Sequence, residues 1–219
     1  MKLVIFDCDG TLVDSQHFIV EAMNMSFQAN GLELLPRDKI LSGVGLSLPY
    51  AIERLIPDHP KKTILAVSDG YREAAGRLRS SSNSHEPLYE GINEVVEALR
   101  SRDDTVLGIA TGKSVRGVDR LLEHMNWVGH FVTIQTADTH PSKPHPSMIE
   151  TAMREAGAEP ENTIMIGDTT FDIRMAHNAR VASLGVAWGY HAVADLELEG
   201  AHDVAHTCDD LIAKIDRLV

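Results

Sequence analysis

Apolar residues along this chain follow two rhythms. Short continuous runs, too short for helices, read as strands buried on both faces: Lys2–Phe6 (KLVIF), Thr105–Ala110 (TVLGIA), His130–Gln135 (HFVTIQ), Thr163–Ile166 (TIMI) and Val181–Val186 (VASLGV). Among these runs lie helical stripes, with apolar side chains three and four residues apart. Ile92, Val95, Val96 and Leu99 form one, Val115, Val118, Leu122 and Met125 a second, and Met148, Ile149, Ala152, Met153 and Ala156 a third. Strand and helix in alternation predict an α/β fold, a doubly wound, Rossmann-like parallel sheet with right-handed crossovers.

From about Gln16 to Leu78 the strand rhythm stops. Only helical stripes are left there: Ala51, Ile52, Leu55 and Ile56, then Ile64, Val67, Tyr71, Ala74 and Leu78. The stretch RSSSNSHEP, Arg79–Pro87, has the polar composition of a linker. The expected organisation is a core made of residues 1–15 and 86–219, with an α-helical cap subdomain, 16–85, inserted in it.

Composition narrows the functional classes. In 219 residues, 43% are hydrophobic and 24% charged, ordinary for a globular protein with a sizeable core. The net charge of −12 argues against a nucleic-acid surface or an anionic membrane as partner. An anionic substrate stays open, because one bound cation reverses the field locally. Cys8 and Cys208 make no metal-binding spacing, and two thiols in an acidic chain suggest a reducing compartment. MKLVIFDCDG resembles neither a signal peptide nor a membrane span, so a cytoplasmic location is expected.

Ligands of doubly wound sheets bind beyond the carboxyl ends of the strands. Four polar segments stand at such ends. They are Asp7-Cys8-Asp9-Gly10-Thr11, Thr111-Gly112-Lys113-Ser114, Ser142-Lys143-Pro144, and Gly167-Asp168-Thr169-Thr170-Phe171-Asp172. A carboxylate there can attack a phosphate ester to form an acyl phosphate that water then cleaves. Anion meeting anion is the obstacle: two unit charges about 4 Å apart repel by roughly 4 kcal/mol at an effective dielectric near 20. A divalent cation removes it, and all-oxygen donors suit magnesium, with Asp7, the backbone carbonyl of Asp9 and Asp168 sufficing as ligands.

The series DxDGTLxDS, a Thr after a second strand, Lys-Pro, and GDxxxD resembles the haloacid dehalogenase-like hydrolase superfamily. The branch it is most similar to is the phosphoglycolate-phosphatase-like one, whose helical cap follows the first motif. The resemblance spans the chain and implies a Mg2+-dependent phosphatase of a small phosphorylated metabolite. It makes Asp7 the nucleophile and Asp9 the general acid and base. By the same resemblance Thr111, Gly112 and Lys143 would hold the phosphate, Asp168 would hold the metal, and Asp172 would support metal and lysine. Dehalogenases of the superfamily lack an acid matching Asp9. Phosphonate hydrolases use a cap lysine, and Lys39, Lys61 and Lys62 stand in no such context. A β-phosphoglucomutase-like sugar-phosphate mutase shares these motifs and remains an alternative. So does a phosphate-sensing or interaction module on the same fold.

Simpler readings cover the other polar residues. The segment from Thr111 to Ser114 resembles the end of a P-loop but lacks its glycines. Lys113 is expected as a solvated residue at a helix start. His140 and His145 read as loop polarity, Cys8 as a small packed side chain, and Met148 and Met153 as core. Leu41–Tyr50 (LSGVGLSLPY) is the candidate specificity loop, its glycines letting backbone approach a ligand. Oligomeric state has no signature.

Overall fold

In a computed structural model, which describes residues 1–80 and 86–219, six strands form one parallel sheet. They are β1 (Lys2–Phe6), β2 (Thr105–Thr111), β3 (Thr133–Thr136), β4 (Thr163–Gly167), β5 (Ala182–Val186) and β6 (Asp203–Ala205), in the spatial order β3-β2-β1-β4-β5-β6. Alternate residues of each strand feed opposite layers. Val4, Phe6, Leu107, Ile109, Ile164 and Ile166 join one buried cluster, whereas Leu3, Ile5, Ala110 and Met165 join the other. Both faces are covered, as the uninterrupted apolar runs require.

The helices that cover the sheet are α5 (Ile92–Arg100), α6 (Val115–His124), α7 (Ser147–Ala156), α8 (Thr170–Ala179), α9 (Val193–Leu198) and α10 (Cys208–Leu218), numbered after the four described next. Between β1 and α5 come α1 (Gln16–Ala29), α2 (Arg37–Leu41), α3 (Leu48–Leu55) and α4 (Lys61–Ser80). These pack round their own apolar centre, with Met23, Phe27, Ile52, Leu55 and Val67 buried. No helix of the described residues is long and apolar enough to cross a membrane.

The expected doubly wound α/β fold is observed, with local corrections. The third strand begins at Thr133 instead of His130, because Phe131 turns under the sheet against Trp127, leaving Val132 exposed. Val115 of the α6 stripe is also exposed, since it opens the first turn before the helix reaches the sheet. Arg79 and Ser80 continue α4 rather than begin a linker, the Arg79 guanidinium lying 4.5 Å over the Phe18 ring. Residues 81–85 of the expected linker, and with them the expected 85–86 boundary, lie outside the described residues. The three-residue β6 was not anticipated, being too short to show a period.

Sheet order reverses at β1. The chain runs outward through β2 and β3, then returns to place β4 on the other side of β1, pairing Phe6 with Ile166. Adjacent parallel strands that diverge in their onward connections open a crevice beyond their carboxyl ends. Asp7 follows β1 and Asp168 follows β4, so both acids stand at that crevice.

Candidate active site

Backbone and side chains together fix Asp7. Its N–H donates to the Ile166 carbonyl at 2.9 Å, extending the sheet by one residue, and its Oδ1 accepts from the Cys8 N–H at 2.7 Å. The Lys143 ammonium lies 3.0 Å from the same Oδ1 and 2.6 Å from Asp172 Oδ1, wholly buried between them. Asp172 is held by local sequence: it is the third residue of α8 and forms a capping box with Thr169, whose N–H and hydroxyl donate to Oδ2 at 3.1 and 2.7 Å. Asp168 accepts from the Thr11 hydroxyl at 2.9 Å and the Tyr190 N–H at 2.8 Å. Gly10 and Gly189 pack against it so tightly that a Cβ on either would fall within 2.2 Å of an Asp168 atom. Gly10 also has φ +86°, which a side chain would strain.

Charge is unbalanced here. Ligand oxygens of Asp7, Asp168 and Asp172 lie within 4.8 Å of one another, all buried, with the Lys143 ammonium between two of them. Burial raises the Asp7 carboxyl to about 7, the nearby Lys143 opposing and Asp172 and Asp9 adding to the shift. Burial likewise raises Asp168 well above the carboxylate range, reinforced by Asp172 and Asp7. Burial alone would lower Lys143, but Asp172 and Asp7 more than offset it and the amine is held protonated. Asp7 Oδ2 is a buried oxygen with no hydrogen-bond partner among the described residues. An orphaned carboxylate oxygen within an excess of buried negative charge, among oxygen donors only, fits a hard divalent cation such as magnesium.

The remaining expected residues divide. Thr111 is the last residue of β2, fully buried, and its hydroxyl accepts from the Lys113 N–H at 3.2 Å. Gly112 faces residues 45 and 46: a Cβ on it would lie 2.6 Å from the Leu46 carbonyl oxygen and 2.8 Å from that of Gly45. Lys113 corrects its expectation. Only 8% of its side chain is exposed, and its ammonium lies 2.9 Å from Asp9 Oδ1. Burial alone would lower its pKa, but Asp9 and Glu86 raise it. Its alternation in sequence could not separate a solvated lysine from one turned inward by distant acids. His140 bridges Gln135 and Ser147 at 2.8 Å on each side, and His145 accepts from the Ser147 N–H at 3.2 Å. Cys8 is buried and Cys208 half-buried, both free thiols. Met148 is fully buried and Met153 packs at the edge of the same cluster.

Sequence reasoning missed Tyr190 and His191, which follow β5 in a loop with no recognisable motif. Besides its N–H bond to Asp168, Tyr190 places its hydroxyl 2.9 Å from Ser15 Oγ. His191 accepts from the Thr170 N–H at 3.2 Å, and burial lowers its pKa. Its ring meets Phe171 at 5.4 Å, and Phe171 carries the Arg54 guanidinium of α3 at 5.5 Å.

A cavity of about 840 Å³ opens onto Asp7, Asp9 and Thr111. Residues 43–50 line its other side, and the Ser47 N–H donates to Ser142 Oγ at 2.9 Å, beside Lys143. The candidate specificity loop therefore borders the site, closing it with backbone rather than charge.

Residues 4–186 match the family model described as haloacid dehalogenase-like hydrolase. "Probable phosphatase IndB" of Dickeya dadantii is 31% identical over 99% of this chain and 94% of its own. A phosphoglycolate phosphatase of Agrobacterium fabrum is 33% identical over 90% of this chain and 85% of its own. The crystal structure of a predicted phosphatase from Clostridium acetobutylicum superposes with a TM-score of 0.88 at 25% identity, covering 99% of both chains.

Proposed function

Because the chain belongs to the haloacid dehalogenase-like hydrolase family, we propose that it is a magnesium-dependent phosphatase of small phosphorylated metabolites, phosphoglycolate-like monoesters among them, acting through a phosphoaspartyl intermediate on Asp7. The observation that carries this reading is the buried Lys143 ammonium shared between Asp7 and Asp172, with Asp168 alongside. One oxygen of Asp7 attacks phosphorus while Lys143 and the Cys8 N–H hold the carboxylate in place. The phosphorus–oxygen ester bond breaks and Asp9 gives its proton to the leaving oxygen. Asp9 then takes a proton from water, whose oxygen attacks the phosphorus of the acyl phosphate and frees Asp7 and inorganic phosphate. Thr111, the Gly112 backbone and Lys143 hold the phosphoryl oxygens. A divalent cation would be held by Asp7, the Asp9 carbonyl and Asp168, and would supply the positive charge that lets carboxylate approach phosphate. The helices of residues 16–85 act as a cap, limiting water and touching the organic part of the substrate.

A panel of phosphorylated metabolites, scored by phosphate release, tests this reading. Release is expected with magnesium, none in excess chelator, and full recovery when magnesium is restored. Undiminished release in chelator rules out the metal role. Isomerisation of a sugar phosphate that needs a bisphosphate activator, without free phosphate, points instead to the mutase.

Closure of the cap gives a second expectation. In Gly112→Ala the new methyl meets two backbone carbonyls, which cannot rotate away as side chains can. Displacing residues 45 and 46 by about 1 Å should lower kcat/KM by on the order of 10²-fold, with the melting temperature little changed. Unaltered kinetics would show that these carbonyls leave Gly112 during turnover.

A further inference from the structure

Asp9 depends on direction more than any other acid of the site, since it serves the leaving oxygen first and a water afterwards. Lys113 approaches its Oδ1 at 2.9 Å and reaches the two oxygens of Glu86 at 3.3 and 3.4 Å. The ammonium hydrogen-bonds to Glu86 and forms an ion pair with Asp9. Room for its stem comes from α6. Gly117 occupies the first turn of that helix, where glycine is a poorer helix former than alanine. A Cβ there would meet Lys113 Cγ at 2.7 Å and Cδ at 3.1 Å. The glycine lets the lysine fold back over the helix start toward Asp9.

We propose that Lys113 is a positioning residue: by holding one oxygen of Asp9 it fixes the orientation from which that carboxyl group exchanges its proton, and Glu86 and Gly117 hold Lys113. The proposal rests on Asp9 being the general acid of the proposed phosphatase.

Single-turnover phosphoryl transfer along a series from nitrophenyl phosphate to alkyl phosphates tests it, with magnesium-loaded wild type, Asp9→Ala, Lys113→Met and Gly117→Ala. Lys113→Met should slow transfer from alkyl phosphates by about 10- to 10²-fold, a part of what proton transfer supplies. Nitrophenyl phosphate, whose leaving group needs little proton, should be slowed far less. Gly117→Ala keeps the charge but displaces the stem, and should tilt the series the same way and less steeply. A merely structural lysine, or one that binds phosphate, would slow every ester equally. Equal slowing in Lys113→Met and Gly117→Ala, while Asp9→Ala tilts the series, overturns the positioning role and leaves the assignment of Asp9 intact. No tilt in Asp9→Ala sinks the acid assignment and the positioning role together. Should Lys113→Met fail to fold, the slope for Gly117→Ala decides alone.

Discussion

Asp7→Asn is expected to end turnover and, in metal-free buffer, to raise the melting temperature. The first effect follows from the proposed role of Asp7 as nucleophile. Removing a group on which both chemical steps depend costs on the order of 10⁴ to 10⁶ in rate, and no phosphoryl label should remain on the protein. The second follows from burial. The Asp7 carboxyl is raised from its ordinary 3.8 to about 7, chiefly by burial, with Lys143 only partly opposing. Between these values the folded protein binds a proton that the unfolded chain has released, so stability falls as pH rises from about 4 to 7. Asparagine has no such proton. It can still accept from the Cys8 N–H, and it leaves Lys143 in a one-to-one pair with Asp172. In chelator at pH 8 the variant should therefore melt higher, by about 2–4 °C for each kcal/mol relieved. Below pH 4 the two proteins should converge. Magnesium should raise the wild-type melting point more than that of the variant, which offers one carboxylate fewer. A variant that melts below wild type at pH 8 without metal would mean that the Asp7–Lys143 pair outweighs the crowding of acids. Sites that bind charge at a cost to the empty fold are an expected form of the trade between activity and stability.

Asp9→Ala should separate substrates by their leaving groups. If Asp9 protonates the departing oxygen, alkyl phosphates lose the full benefit of general acid help, about 10²–10⁴-fold. Nitrophenolate leaves as a stable anion, so its transfer step should fall much less. Water then lacks a base for the second step, and the aryl substrate should give a burst of nitrophenolate followed by slow turnover, with label kept on Asp7. Steady-state rates hide this contrast, because dephosphorylation limits both substrates; single-turnover measurement exposes it. Equal slowing of both transfer steps, with metal affinity intact, would remove Asp9 from the acid role.

What the chain wrote locally was legible locally. Strands buried on both faces must be apolar throughout, so KLVIF, TVLGIA and TIMI announced a parallel sheet, and with it the rim where Asp7, Thr111 and Asp168 stand. Thr169 and Asp172 are three residues apart because a capping box needs that spacing, which helix geometry sets without help from the rest of the molecule. Long-range pairing decided the remainder. Only the β1–β4 pair brings Asp7 next to Asp168, residues far apart in sequence, and only that closeness creates the surplus of buried charge. Lys113 read as solvated because its partners are 27 residues and more than 100 residues away, at Glu86 and Asp9. Burial there is a property of the cavity, and hydrophobic period cannot report on it. Tyr190 serves Asp168 through its backbone N–H, a group every residue but proline carries, so no side-chain pattern could mark it. The chain's own periodicities thus set which elements form and which acids follow them, and tertiary pairing alone set which charges meet, because Coulomb interaction depends on distance in space and not along the sequence.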